Sequence, residues 1–228
     1  ISHRIERVRI FESSLCFERI ESGEIIQHKK VAGMISGSSF PEQWGESSRA
    51  SDFFDIKGDL ENILKVSQLT FGVTFHKSFH PGKVASIVVD GIEVGVLGEL
   101  HPELSQKYDL DANTLAFELN IDVLPELSAA KYAAFSRFPA VRRDIALEVD
   151  VNMEVGQIIS CIAAENIRYL ADVTLFDIYT GKGVAEKKKS LGLAIMFQND
   201  EKTLKDEDVE ESVTQVLQLV ELRFNATR

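Results

Sequence analysis

Two cysteines, one tryptophan and five prolines are all that 228 residues contain of those three types. So few cysteines cannot build a disulfide scaffold. Cys16 and Cys161 each sit in an apolar stretch and are expected as buried free thiols in a reducing compartment. Neither has a base or a cationic cluster near it in sequence, which argues against a nucleophilic role. No apolar run approaches the ~18–20 residues of a membrane helix. Basic residues are short as well: 25 Lys and Arg stand against 36 Asp and Glu, a net charge of −11. A domain that coats nucleic acid by bulk charge carries the opposite surplus, so any such contact has to be local. With 44% hydrophobic and 27% charged residues the chain is neither disordered nor collagen-like. Residue 1 is Ile and no signal-type segment follows. The expectation is a piece of a longer, cytoplasmic protein.

The length suits one large domain or two modest ones. Composition changes near 125–139, where Pro125 to Ala134 lacks strand alternation and Pro139 follows. This predicts a domain at 1–125, a linker at 126–135 and a domain at 136–228. Net charge is −7 before Ser136 and −4 from there on, so neither part is basic. The first part reads mostly as strands, at Val8–Arg19, Val31–Ser36, Ala85–Asp90, Ile92–Leu97 and Thr114–Ile121. Asp90-Gly91 supplies the positive φ of a tight hairpin turn. Ile56, Leu60, Ile63 and Leu64 mark one face of a helix. The first domain is therefore expected as an antiparallel sheet covered by helices.

The second part follows the order β-α-β-β-α-β, the split ferredoxin-like arrangement. Ile145, Leu147 and Val149 alternate with polar or small residues; Val155, Ile158, Ile159, Ile162 and Ala163 recur with helical spacing. Val173–Tyr179 and Leu191–Phe197 read as strands, and Val209 to Phe224 as an amphipathic helix with an acidic first turn. A short last strand at Ala226–Arg228 completes a four-stranded sheet. Both helices are expected on one face, leaving the other open.

Alternation sorts the strands by face. Thr174, Phe176 and Ile178 form one set; Leu175, Asp177 and Tyr179 form the other. The bulky residues of 191–197 point to the helices, which leaves Ser190, Gly192, Ala194, Met196 and Gln198 as a shallow open floor. If Asp177 and Tyr179 share that side, they offer a stacking ring and a carboxylate acceptor to a nucleobase. Guanine, with its N1–H and N2–H₂ donors, suits the carboxylate. The loop 180–189 holds Lys182, Lys187, Lys188 and Lys189 against one glutamate, a local basic fringe able to meet phosphates. The several aromatics that an RNA-recognition motif carries on its third strand are missing.

Phe135-Ser-Arg-Phe-Pro139, Ala140-Val-Arg-Arg-Asp144-Ile-Ala-Leu147, Leu175-Phe-Asp-Ile-Tyr179, Gly181-x-Gly183, Lys189-Ser-Leu191 and Thr203-Leu204 occur in the order of a known family. The segment resembles the ferredoxin-fold anticodon-binding domain of the phenylalanine–tRNA ligase beta chain family. Upstream, Val8-Arg-Ile-Phe-Glu12, Phe53-Phe-Asp-Ile-Lys-Gly-Asp-Leu-Glu61, His80-Pro-Gly-Lys83 and Gly95-Val-Leu-Gly-Glu-Leu-His-Pro-Glu103 resemble the end of that chain's class II synthetase-like core, which is not catalytic. The resemblance implies an α2β2 ligase in which the alpha subunit activates phenylalanine with ATP. It places ATP and magnesium in the whole enzyme and no cofactor in this piece. It implies that Asp177, Tyr179 and Ser190 contact anticodon bases, with Tyr179 stacking on the first, and that Lys182, Lys188 and Lys189 contact the backbone of the tRNA. DNA and membranes are not expected partners. The family's editing domain lies upstream. The sequence departs at Lys205, where a capping Ser or Thr is common; Thr203 with Asp206 is the substitute expected here.

Between Arg49 and Arg137 there is no arginine, so the core part lacks the planar cation used to meet phosphate charge during adenylate formation. Other constellations are weaker. His76, His80 and His101 lack the further ligands of a metal site, and His80-Pro81 and His101-Pro102 are expected in turns. Trp44 is expected to dock on its own core. Gly95-x-x-Gly98 opens no phosphate-binding helix, and the acidic run 200–211 lacks calcium-loop spacing. The rival to the anticodon-binding reading is a free-standing ferredoxin-like module that binds protein or a small ligand and no RNA.

Overall fold

A computed structural model describes residues 7–64, 69–125 and 135–227. The chain divides into two units, 1–129 and 130–228. The expected linker, apart from Phe135, lies outside the described residues.

In the first unit β1 (Arg7–Arg19), β2 (Ile25–Gly37), β3 (Leu69–Val73), β4 (Phe79–Val89), β5 (Ile92–Leu100) and β6 (Leu115–Asn120) form one sheet. Their order is β1-β2-β6-β5-β4-β3, antiparallel at every pair. The Asp90-Gly91 turn takes φ of 50° and 80°, as a two-residue hairpin loop requires. Helix α1 (Phe53–Leu64) buries Ile56, Leu60 and Leu64 against Ile35, Ile87, Leu97 and Leu119.

β3 and α2 (Pro102–Lys107) were not legible as elements, the first because it is short and carries Gly72. His101-Pro102 opens α2, with Pro at the helix start, where its missing N–H costs nothing. His80-Pro81-Gly82 is an irregularity inside β4, between Phe79 and Val84, and not a terminal turn. The ring nitrogens of His76, His80 and His101 accept backbone N–H groups from Ser78, Gly82 and Glu103. Trp44 is fully exposed rather than docked on the core, and Cys16 is exposed too. The reason for Cys16 is register: β6 pairs with β2 only along Lys30–Ile35, so among the described residues no third strand flanks the outer half of the β1–β2 hairpin. Cys161 is half-buried.

α1 starts with a reciprocal cap. Asp52 accepts the Phe54 and Asp55 N–H groups, and Asp55 accepts the Asp52 N–H at 2.8 Å. Asp55 also receives both Nη atoms of Arg49, at 2.7 and 2.8 Å, and the Ser39 hydroxyl. The Arg49 fork, then the Asp52 and Ser39 donors, hold the Asp55 carboxyl well below its ordinary range. A lowered folded pKa stabilises the fold above the unfolded value near 4, and that stability is lost as pH falls towards the folded value. Asp55→Asn is therefore expected to cost about 2 kcal/mol at pH 7. In urea melts the gap to the parent chain should narrow steadily as pH falls below 4; a pH-independent gap would refute the assignment.

In the second unit β7 (Val141–Asp150), β8 (Leu170–Tyr179) and β9 (Lys188–Phe197) form an antiparallel sheet ordered β7-β9-β8. Leu191, Leu193, Ile195 and Phe197 are fully buried from the central strand, beneath α3 (Val155–Ala164) and α4 (Asp206–Phe224). The fold is α+β with the expected β-α-β-β-α order. The fourth strand is reduced to one bridge: Glu148 and Thr227 exchange N–H···O bonds of 2.7 and 3.1 Å. Arg228 lies outside the described residues. The cap of α4 also differs, because Lys205 is the N-cap and Asp208, not Asp206, accepts its N–H at 3.2 Å. No described helix is long and apolar enough to cross a membrane.

Candidate nucleic-acid interface

Helices α3 and α4 cover the face of the second sheet that carries Leu191, Leu193 and Ile195. The opposite face carries Ser190, Gly192, Ala194 and Met196, as alternation in β9 predicts, with Ala194 itself buried. Strict alternation fails in β8. Val173 pairs with Ile195 and Leu175 with Leu193, so both point to the helices. Continued alternation would send Asp177 and Tyr179 the same way. Instead the register slips between Leu175 and Asp177, which pairs with Gly192, while Tyr179 pairs with Ser190. Cross-strand partners share a face. The slip is a β-bulge with Phe176 as its extra residue. It carries Asp177 and Tyr179 to the open side while Val173 and Leu175 stay in the core.

Tyr179 is 48% exposed and not under the helices. Its hydroxyl donates to the Lys182 carbonyl at 3.3 Å. The ring lies over Gly181, and a Cβ there would run into it. Gly183 takes φ of 104°, a conformation other residues resist. Both glycines of this loop thus have a steric reason, and the phenol is held by its own loop at one edge. The Asp177 carboxylate is exposed, and Ser190 is the cross-strand neighbour of Tyr179.

The lysines separate. Lys182 and Lys187 are exposed in the loop. Lys188 lies on the open side but pairs with Glu148 at 3.1 Å. That bond, with the Ala185 N–H, holds the Glu148 carboxyl below its ordinary range. Lys189 pairs with buried Val149, on the helix side, and its ammonium donates to the Met153 carbonyl at 2.6 Å. It therefore stands away from Asp177 and Tyr179, because side chains alternate along β9.

The open face is not basic. Register assigns it Arg142, Asp144, Glu148 and Asp150 from β7, Lys188 from β9, and Asp172 and Asp177 from β8. Arg142 and Lys188 are already paired, with Asp144 and Glu148. Such a surface repels phosphate and favours hydrogen-bond donors. Bases can be read over the sheet while a backbone keeps to the lysine loop at its edge. Sequence reasoning missed Phe176 and Arg142 here. Phe176 is the extra residue of the bulge, which alternation along β8 does not foresee, and Arg142 precedes the apolar alternation of Ile145, Leu147 and Val149 in β7.

Residues 1–121 match the family described as Phenylalanyl tRNA synthetase beta chain CLM domain. Residues 136–228 match the Ferredoxin-fold anticodon binding domain. Among similar curated proteins, the phenylalanine–tRNA ligase beta subunit of Dechloromonas aromatica is 38% identical over 224 residues. The protein of that name from Vibrio cholerae is 41% identical over 226 residues, and that from Chromobacterium violaceum 42% over 218. Each alignment covers 96% of this chain and 28% of the relative. The chain thus spans little more than a quarter of the length of these relatives.

Proposed function

The chain belongs to the phenylalanyl-tRNA synthetase beta chain family, and on that footing we propose that it serves a phenylalanine–tRNA ligase by gripping the anticodon loop of the tRNA. The observation that carries this reading is the placement of exposed Tyr179 and Asp177 on one face of the sheet, opposite α3 and α4. The phenol ring stacks on the first anticodon base. The carboxylate accepts from that base's edge, and a guanine matches it with two neighbouring N–H donors. Ser190 adds a hydroxyl beside the ring. Lys182, with Lys187, supplies the loose phosphate contact; Lys188 contributes by leaving Glu148. Lys189 would have to give up its bond to Met153 to take part.

The partners of this reading are the tRNA for phenylalanine and the catalytic alpha subunit, joined as an α2β2 tetramer in the cytoplasm. The six-stranded unit is the part assigned to assembly with alpha. ATP and magnesium belong to the whole enzyme. Arg49 is committed to Asp55 and Arg9 to Asp59, and no other arginine follows before Arg137. Adenylate chemistry is accordingly assigned to alpha. A free-standing interaction module without an RNA role is not favoured.

The test is a titration of the 228-residue chain with anticodon stem-loops at fixed salt, since the lysine loop makes affinity salt-dependent. A loop with guanine at the first anticodon position should bind about tenfold tighter than one with adenine there. Asp177→Asn, which replaces one acceptor oxygen by an NH₂ group with two N–H donors, should erase the preference. Equal affinities for the two loops in the parent chain would refute the reading.

A further inference from the structure

The bulge in β8 does more than return Asp177 and Tyr179 to the open side. Its extra residue, Phe176, lays its ring across the central strand. A Cβ on Gly192 would sit 2.8 Å from the ring's Cζ and 2.9 Å from Cε2, so glycine is what lets the ring lie there. From the far strand, Arg142 reaches over the same floor. Its guanidinium carbon is 5.5 Å from the Phe176 ring centroid, within the range of a cation–π contact. Asp144 fixes the guanidinium at its other end, accepting from Nε at 2.7 Å and from Nη2 at 3.2 Å. A planar cation is thereby held at two points against an aromatic ring, on the side that carries Tyr179.

This cluster contributes little to the core. Phe176 remains 54% exposed and Arg142 is exposed as well, while the core of this unit closes below β9 without either. An exposed aromatic and a fixed guanidinium plane are the two side-chain surfaces on which unpaired bases stack. Across the bulge the Phe176 ring stands at Gly192 and Tyr179 pairs with Ser190, two residues of β9 and roughly 7 Å apart. That separation leaves room for one base on each.

We propose that Phe176 and Arg142 form a second stacking platform for another unpaired base of the same RNA loop, beside the base held by Tyr179 and Asp177. The inference rests on the proposed function and adds a subsite to it. Stacking uses the π-face that every base has, so this platform tolerates any base, whereas Asp177 selects one. The two-point restraint on Arg142 lowers the entropic cost of presenting its plane. The face thus combines one discriminating position with one position that adds affinity alone.

The test uses the 228-residue chain and anticodon stem-loops carrying 2-aminopurine at each anticodon position in turn. At one position other than the first, binding should quench the probe, and Phe176→Leu should remove that quenching. Phe176→Leu and Arg142→Gln should each weaken binding about tenfold without changing the preference for the first base. Arg142→Lys keeps the charge and loses the plane, so it should resemble Arg142→Gln. Thermal melts of each variant establish that it is folded. If Tyr179→Ala weakens binding while Phe176→Leu and Arg142→Gln bind as the parent does, the second platform is refuted and the first stands. Parent-like binding by Arg142→Lys alone reduces the site to a charge and overturns the stacking proposal. If Tyr179→Ala also binds as the parent does, the RNA reading of this face falls, and this inference with it.

Discussion

Tyr179→Ala is expected to weaken binding of an anticodon stem-loop by roughly five- to 150-fold, about 1–3 kcal/mol, the range measured for a lost base–aromatic stack. The fold should hardly notice. Tyr179 is 48% exposed and its one hydrogen bond, to the Lys182 carbonyl, is on the surface. Tyr179→Phe keeps the ring and loses only that bond, so it should retain most of the affinity. The pair of variants separates stacking from loop anchoring: a phenol needed mainly to hold residues 180–187 would make Phe nearly as harmful as Ala. Fluorescence anisotropy at one salt concentration measures both. An alanine variant with parent affinity would remove the central contact of the proposed interface.

Phe197→Ala should have the largest effect on stability. The ring is fully buried, at the end of the central strand, in a cluster with Ile145, Leu193, Ile195 and Val209. Truncating a buried phenylalanine costs about 3–5 kcal/mol, because transfer free energy is lost and the neighbours fill the space only in part. Domains of this size are stable by about 5–15 kcal/mol in all. The variant should lower the melting transition of the second unit by on the order of 15–30 °C. It should also raise amide exchange at Leu191, Leu193 and Ile195. Because the residue points away from the open face, any loss of RNA binding should follow unfolding and vanish at low temperature. A melting point within a few degrees of the parent's would contradict the packing described here.

Much of this was readable from residues. The inward set of β9 is legible because four large apolar side chains alternate with small ones, and burial on one face has no other pattern. The Asp90-Gly91 hairpin follows from positive φ alone, and α3 and α4 from helical periodicity. The exposed Cys16 and Trp44 were not readable. An apolar neighbourhood in sequence predicts burial only if something covers it: among the described residues no third strand flanks Cys16 on the outer half of the β1–β2 hairpin, and Trp44 sits in the loop after β2. The lysine loop looked like one basic fringe, but Lys188 and Lys189 fall on opposite faces. Their charges are spent on Glu148 and on a carbonyl.

Family, ferredoxin-like element order and the helix-facing residues of β9 follow from local periodicity and from motifs in order. The tertiary structure alone decided which residues share the open face. Side-chain direction in a strand has a period of two, and one unpaired residue resets it. That offset belongs to the pairing of β8 with β9 and to no property of β8 alone, so only the assembled sheet sets Tyr179, Asp177 and Phe176 side by side.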